Sequence, residues 1–555
     1  MLRRLFIIIA IAVLAGILVF FVADRLQPAA PSNTAIGTEP LRKSRARQPG
    51  PAVSAELLES ADSAKAETKV DPAAADSVSD AAANDFVVSF ERAAELSSFV
   101  ARLEDGNGEV LGTLDNWHTV RVRMGRLTLD ALLDDLGAGA LEVNHIVRTP
   151  KPLEQLPNPP LPGQYQGFGR QALNWLGAST DNSEWGVGVL VAILDTAVDL
   201  QHPALAGLAI SQINLVSDEA DDGLGSYSGH GTAVASIIAG TEQVKGIAPA
   251  VELLSVGVLG SYGEGDVFTV AQGIVAAVDE GADIINLSLG APGGSRLLAQ
   301  AVAYAHENGV MIVAAAGNDG IGAVNYPAQY EEVLAVTAVD ATGKYVHFSN
   351  YGHAVDIAAP GIGIAAAWGE DDVISFSGTS AAVPFVSGTL AALLAQSPGA
   401  TAEDLELILL DYTNDAGLPN ADPYYGEGVL NIGRILARDE PGIHNMSISS
   451  HYLDVGHDDP NIVTVVVAAE NRGTQIANHV VLDVKVGTTE RRYEFDEVEV
   501  GASVSRTVNF DATEVNEFGA VQLWTEVRES GREDASPTDN TYMSVLRVDL
   551  EPVEN

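Results

Sequence analysis

Three short phrases carry the residue types of a nucleophilic catalyst: Leu194-Asp195-Thr196, Gly229-His230-Gly231-Thr232 and Gly378-Thr379-Ser380-Ala381. A serine hydroxyl is a poor nucleophile at neutral pH. It needs an imidazole to take its proton and a carboxylate to hold that imidazole in the right tautomer. In this reading Asp195 orients and stabilises the imidazole, His230 acts as general base and then general acid, and Ser380 attacks a carbonyl. A fourth phrase, Ala314-Ala315-Ala316-Gly317-Asn318, ends an apolar run with a side-chain amide that could bind an oxyanion as it forms. Singly, each phrase is bland, since an Asp at a strand end is usually a cap and His-Gly-Thr occurs by chance. The order Asp, His, Ser is one of the few that build the constellation.

Such residues need a rigid frame, and the surrounding pattern supplies one. Apolar strands at 187–194, 251–258, 282–289 and 310–315 alternate with helical stretches at 233–239, 267–280 and 295–308. Near-continuous apolar strands between helices imply an α/β parallel sheet covered on both faces. Ligands of such sheets bind beyond the carboxyl ends of strands, where Asp195 and Asn318 both fall.

Residues 165–437, about half the chain, resemble the catalytic domain of a subtilisin-like serine protease, a subtilase. The phrases that carry the resemblance are Val191-Ala192-Ile193-Leu194-Asp195-Thr196, His230-Gly231-Thr232, Asn286-Leu287-Ser288-Leu289-Gly290, Ala315-Ala316-Gly317-Asn318 and Gly378-Thr379-Ser380-Ala381-Ala382-Val383-Pro384. The resemblance implies that the backbone of Gly263 to Gly265 and of Ser288, Leu289 and Gly290 pairs with an extended peptide substrate on either side, a form of strand addition. It also implies substrate contacts at Ala315, Gly317 and Asn325. Asp319 and Asn325-Tyr326-Pro327 would then fall near the pocket for the residue before the scissile bond, which would be polar. Three departures leave the catalytic atoms in place: Ala197 for a family Gly, Ala233 for a second His, and Ala381 for a Met. Ala204 stands where a carboxylate ligand is common, and the loop Gly240 to Gly246 is short. The expectation is therefore that the strong family calcium site is absent and that no cofactor is needed. Calcium elsewhere stays possible, because an acidic chain offers many carboxylates.

Flanking segments read as separate units. Phe86–Phe90, Ala93–Leu103, Val110–Leu114, Thr119–Val122, Leu127–Leu136 and Leu141–Val147 follow the order β-α-β-β-α-β, a ferredoxin-like α+β unit over 85–148. Its order and position resemble the propeptide of the same family, which acts as chaperone and as intramolecular inhibitor. Six β-type runs in 443–555 suggest a β-sandwich. The phrases Ala469-Glu470-Asn471-Arg472-Gly473-Thr474 and Asp539-Asn540-Thr541 resemble a bacterial cell-adhesion-related domain. Residues 26–84 read as a disordered tether and 150–166 as a linker.

Composition narrows the classes. With 555 residues the chain is too long for one domain, and 46% hydrophobic content is ample for packed cores. The absence of cysteine removes disulfides and thiolate chemistry together. A net charge of −45 repels nucleic acid, so no DNA or RNA partner is expected. Its bland reading is solubility; adaptation to a saline habitat is the sharper one, and activity falling steadily with added salt would sink it. At the N-terminus, Leu5 to Ala23 is an apolar run after Arg3-Arg4. As a helix it would span about 28 Å, close to a bilayer core. Residues 1–25 thus read as an uncleaved signal anchor in the membrane, or else a signal peptide; either sends the rest out of the cytoplasm.

Other polar groups have ordinary readings. His202 is structural, Glu264 a solvated rim residue and Asp221-Asp222 a solvated loop. The cluster His451, Asp454, His457, Asp458 and Asp459 is a polar turn before a strand rather than a metal site. The functional expectation is an extracytoplasmic serine endopeptidase made as a zymogen and acting on protein or peptide. A processing protease with a single client is compatible with the tether. The alternative from another class is an adhesion or scaffold protein with a silent protease fold.

Overall fold

The computed structural model describes residues 84–104, 108–136, 139–151, 160, 165–178, 181–216, 228–241, 244–418, 420–454, 462–515, 520–535, 537 and 540–547. The apolar run at 5–23, nearly all of the 26–84 tether, most of the 150–166 linker, Asp221-Asp222, His457, Asp458, Asp459 and Asp539 lie outside them.

The N-terminal unit runs β1 (Asp85–Ser89), α1 (Ala93–Glu104), β2 (Glu109–Leu114), β3 (Thr119–Arg123), α2 (Arg126–Leu136) and β4 (Ala140–Val143). Its antiparallel sheet has the order β2-β3-β1-β4. Alternation along β1 divides its side chains between two surfaces. Phe86 and Val88 pack with Phe99, Leu103 and Leu129 in the unit's own core, whereas Val87 packs on the neighbouring domain. The single last strand expected at 141–147 is divided in the structure. β4 closes this sheet, the chain turns at Asn144-His145, and β5 (Ile146–Arg148) pairs elsewhere. Asn144 causes the break by tying off three groups. Its Nδ2 donates to Asp85 Oδ1 (3.1 Å) and Asp266 Oδ1 (3.0 Å), and its Oδ1 accepts from the Phe268 amide (3.1 Å).

The central domain holds β6 (Leu190–Asp195), β7 (Ile210–Asn214), α3 (His230–Ala239), β8 (Glu252–Gly257), β9 (Glu264–Asp266), α4 (Val267–Asp279), β10 (Ile284–Leu287), α5 (Arg296–Glu307), β11 (Met311–Ala315), β12 (Val333–Val339), β13 (Ile357–Pro360), β14 (Ile364–Trp368), β15 (Asp372–Phe376) and α6 (Thr379–Gln396). Seven strands form one sheet in the order β13-β12-β11-β10-β6-β8-β7, and every pairing is parallel. The sheet is an α/β layer with helices on both faces. Val191 and Ile193 meet α3 and α6 on one face, and Ala192 and Leu194 meet α4 and α5 on the other. That two-sided burial is why β6 reads as an unbroken apolar run. Among the described residues one helix, Thr379–Gln396, has the length and hydropathy to cross a membrane; 83% of it is buried inside this domain, as a core helix.

The N-terminal unit docks on the starts of α4 and α5. Asp266 caps α4 through the Thr269 amide (3.0 Å) and also binds Arg121 (2.9 Å), which is itself paired with Asp85 (2.7 Å). Burial opposes the Arg121 charge, but the Asp85 hydrogen bond and the Asp266 charge hold its pKa above the ordinary value. Glu142 accepts from the first free amides of α5, at Arg296 (2.9 Å) and Leu297 (3.2 Å), where a carboxylate meets the positive end of the helix.

The C-terminal region is two antiparallel sheets around one core: β16 (Met446–Asp454), β17 (Ile462–Asn471) and β20 (Ser503–Asp511) face β18 (Ala477–Val486), β19 (Thr489–Val498), β21 (Ala520–Glu529) and β22 (Thr541–Arg547). This strand-rich region is consistent with a β-sandwich. The polar turn expected around His451 and Asp454 is instead strand, since both pair with β17. The Ala469–Thr474 phrase has a structural use. Asn471 Nδ2 donates to the carbonyls of Gln475 (2.7 Å) and Val498 (2.9 Å), while Glu470 binds Arg434 of the short helix Ile432–Ala437 (2.9 Å). The Glu470 and Arg434 side chains are 0% and 4% exposed. Removing one member of a buried pair strands the other charge, so Glu470→Ala should cost about 3–5 kcal/mol. A shift of the urea unfolding midpoint reads this; a loss under about 1 kcal/mol would mean the pair behaves as a solvated one.

Candidate active site

Four elements deliver the four chemical side chains to the carboxyl ends of inner strands of the sheet. Asp195 is the last residue of β6, His230 the first of α3, Ser380 the second of α6, and Asn318 follows β11. Helices α3 and α6 pack on the same sheet face, which brings the starts of both together.

Asp195 is fully buried, and His230 is 2% exposed. With its proton on Nδ1, His230 donates to both carboxylate oxygens, Oδ1 at 2.8 Å and Oδ2 at 2.9 Å. Oδ1 also accepts from the Thr196 amide at 2.7 Å. The imidazole is held edge-on to the Phe376 ring, with centroids 5.2 Å apart. The tautomer so fixed presents Nε2 as the basic nitrogen.

The two phrases around these residues interlock. The Gly231 amide donates to Thr196 Oγ1 (3.0 Å), and the Asp199 amide donates to Thr232 Oγ1 (2.9 Å). A Cβ on Gly231 would stand 2.1 Å from the Thr196 carbonyl oxygen, so only glycine lets the helix start this close to the strand end. The serine phrase follows the same logic. Gly378 has φ 133°, and a Cβ there would meet Asn318 Nδ2 at 2.7 Å.

Asn318 is oriented by Thr379, whose amide (3.0 Å) and hydroxyl (2.9 Å) both donate to its Oδ1. That fixes the amide's donor end, and Nδ2 donates to the carbonyl oxygen of Lys151 at 3.0 Å. Ser380 Oγ donates to the Ser288 carbonyl at 3.3 Å, and Ser288 Oγ donates back to the Ser380 carbonyl at 3.0 Å. Asn286 links the same strand to α6, donating to Ser288 Oγ (3.1 Å) and accepting from Ser387 Oγ (2.9 Å).

A segment of the chain itself lies in the cleft as an added strand. Val147 pairs with Gly265 and Arg148 with Glu264. The Thr149 amide donates to the Gly263 carbonyl (2.9 Å), and Arg148 and Gly290 exchange both backbone bonds (3.0 and 2.8 Å). Lys151 then places its ammonium 3.1 Å from Asp319 Oδ1. Asn325 stands beside Gly317 and Gly290, whose missing Cβ atoms would meet its Nδ2 at 2.6 Å and its Cβ at 2.9 Å. Leu289 and Ala315 bury their side chains in opposite cores, so any part they take is through backbone. Of the departures from the family pattern, Ala233 and Ala381 are buried against the core and Ala197 is exposed.

Several contributors escaped the sequence reading. Thr379, Thr196 and Thr232 were each in plain view beside a catalytic candidate, but their roles depend on contacts across the chain. Phe376 and Lys151 carried no signal at all. Glu264 stays at the rim, half exposed, where its carboxylate takes Arg148 (2.9 Å). His202 bridges the Ala204 amide and the Asp372 carbonyl (both 3.1 Å), a tie within the fold. Ala204, at the position considered for a calcium ligand, is fully buried, and among the described residues no three His, Asp or Glu side chains converge to hold a metal.

Comparison with known proteins matches residues 186–428 to the subtilase family. Subtilisin Savinase of Lederbergia lenta is 38% identical over 249 residues, 44% of this chain and 90% of that protein. Thermitase of Thermoactinomyces vulgaris is 40% identical over 250 residues, 44% of this chain and 88% of that one. The thermostable alkaline protease of Halalkalibacterium halodurans is 39% identical over 258 residues, 45% of this chain and 68% of that one.

The double grip on Asn318 yields a graded test. Asn318→Leu should lower kcat for a peptide by about 10²–10³-fold with KM nearly kept, the cost of losing one such donor in subtilisin itself. Thr379→Val should cost less, since the Thr379 amide still holds the carboxamide. An effect confined to KM in either variant would remove Asn318 from the reacting centre.

Proposed function

The chain belongs to the subtilase family of serine endopeptidases, and from that premise we propose that Asp195, His230, Ser380 and Asn318 carry its chemistry while residues 85–151 hold it as a zymogen. Ser380 Oγ attacks a peptide carbonyl, and its proton passes to His230 Nε2. Asp195 stabilises the imidazolium so formed. The carbonyl oxygen gains charge and takes the Asn318 amide bond more strongly than it did in the ground state. As the C–N bond breaks, His230 returns the proton to the leaving nitrogen. Water then enters by the same route, releasing the carboxylic acid and restoring the serine. No cofactor enters these steps.

The observation that carries the reading is the Lys151 carbonyl at Asn318 Nδ2 (3.0 Å), delivered by a strand hydrogen-bonded on both sides. A peptide is thereby presented as a substrate would be, with its carbonyl at the donor. The same strand leads back to a unit clamped on α4 and α5, which supports the role of inhibitor. An extracytoplasmic site, with the run at 5–23 as membrane anchor, fits an enzyme carried in this guarded form.

Sequence adds a reason for the guard to persist. Pro152 follows Lys151, so the bond next to the donor is a tertiary amide. Proline carries a ring carbon where other leaving groups carry hydrogen, and it crowds the residue before it. Cutting at this bond should be slow.

Three measurements test the proposal. Fluorophosphonate labelling should depend on both Ser380 and His230; no labelling, even after removal of 85–151, would favour the silent scaffold. Purified Ser380→Ala protein should show neither peptide hydrolysis nor self-processing, and undiminished processing would refute self-cleavage. Pro152→Ala should add a new cut after Lys151, visible by N-terminal sequencing; its absence would show that proline is not what protects the bond.

A further inference from the structure

The strand in the cleft carries two of the chain's 30 basic residues within four positions, Arg148 and Lys151, in a protein with 75 acidic ones. Each meets a carboxylate of the cleft wall. Lys151 Nζ lies 3.1 Å from Asp319 Oδ1, and Arg148 Nε lies 2.9 Å from Glu264 Oε1.

The backbone of both acidic residues is fixed relative to the reacting carbonyl. Asp319 directly follows Asn318, and its amide donates to Asn350 Oδ1 at 3.0 Å, which anchors the backbone there. A peptide whose carbonyl sits at Asn318 therefore offers the side chain of that same residue to Asp319. Glu264 is the ladder partner of Arg148, so it faces whichever residue lies three positions earlier in a bound strand. The two basic side chains thus meet separate carboxylates, Arg148 at Glu264 and Lys151 at Asp319.

We propose that Asp319 and Glu264 set the substrate class of this cleft: extended peptides with an arginine and a lysine three residues apart, cut after the lysine. The inference rests on the protease reading and adds selectivity to it. Its size follows from exposure. The Lys151 and Asp319 side chains are 52% and 37% exposed, and those of Arg148 and Glu264 are 52% and 55%. Half-exposed pairs are worth little individually, about two- to fivefold each, and are screened by salt.

The test uses the full chain and four fluorogenic peptides built on Arg-Thr-Ala-Lys before the cut, with norleucine replacing lysine, arginine or both. The segment already in the cleft lowers all rates alike and leaves their ratios intact. At low salt the lysine peptide should have a kcat/KM about two- to fivefold above its norleucine partner, with the ratio approaching one near 1 M salt. Asp319→Asn should collapse the lysine ratio and spare the arginine ratio, and Glu264→Gln should do the reverse. Equal rates for lysine and norleucine, or an unchanged ratio in Asp319→Asn, overturn the inference while cleavage of the doubly uncharged peptide leaves the protease reading standing. If no peptide is cut even after removal of 85–151, the protease reading itself fails. Selectivity is then read from equilibrium binding of the same peptides to Ser380→Ala protein, where equal affinities overturn it.

Discussion

A carboxylate sealed at the end of an inner strand of the sheet constrains everything around it. Asp195 has no exposed surface, and a buried charge is costly unless it is paired and hydrogen-bonded. Its neighbours supply the pairing: the Thr196 amide on one oxygen and the His230 ring on both. Holding that ring requires α3 to start within contact of the β6 end, which forces glycine at 231 and engages the hydroxyls of Thr196 and Thr232. The short phrases are thus the side of the molecule where a strand end and two helix starts must touch. Residue choice there is dictated by close approach as much as by chemistry.

This explains which parts were legible in the sequence. The sheet was readable because its strands are buried on both faces and so lack alternation. The triad candidates and Asn318 were readable because close backbone approach confines their neighbours to glycine, alanine and threonine within single phrases. The divided strand at 140–148 was not, since its apolar alternation runs on through Leu141, Val143 and Val147. Only tertiary partners of Asn144, contributed by Asp85, Asp266 and Phe268, turn the chain out of one sheet and into another. Strand β16 was missed for the opposite reason. Polar Ser, His and Asp positions break up its apolar pattern, and its strand state shows only in its pairing with β17. Lys151 was invisible because its meaning depends on where the Asn318 amide stands.

The docking of the N-terminal unit shares residues with the cleft. Asp266 caps α4, binds Arg121 and Asn144, and is the ladder partner of Ile146. One side chain therefore links the helix start, the docked sheet and the added strand. Glu142 links the docked sheet to the start of α5, only a few residues before the strand begins. Both contacts place negative charge at positive helix ends, so an acidic protein gains its internal fit from backbone dipoles where basic side chains are few. The unit and the cleft strand are in this sense one ligand, bound at two places and joined by Asn144 and His145.

Joining them changes what the strand can do. A free hexapeptide with half-exposed ion pairs would dissociate readily, because each pair contributes little. Tied to a docked unit, the same segment is presented at a high effective concentration, and weak contacts suffice to keep it in place. The arrangement lets the cleft walls stay shallow and solvated, as Asp319 and Glu264 are, without losing occupancy by the chain's own peptide. It also means that occupancy and selectivity have separate physical origins. On the proposed reading, the docked unit sets how long the cleft stays filled, and the two carboxylates set what side chains suit it.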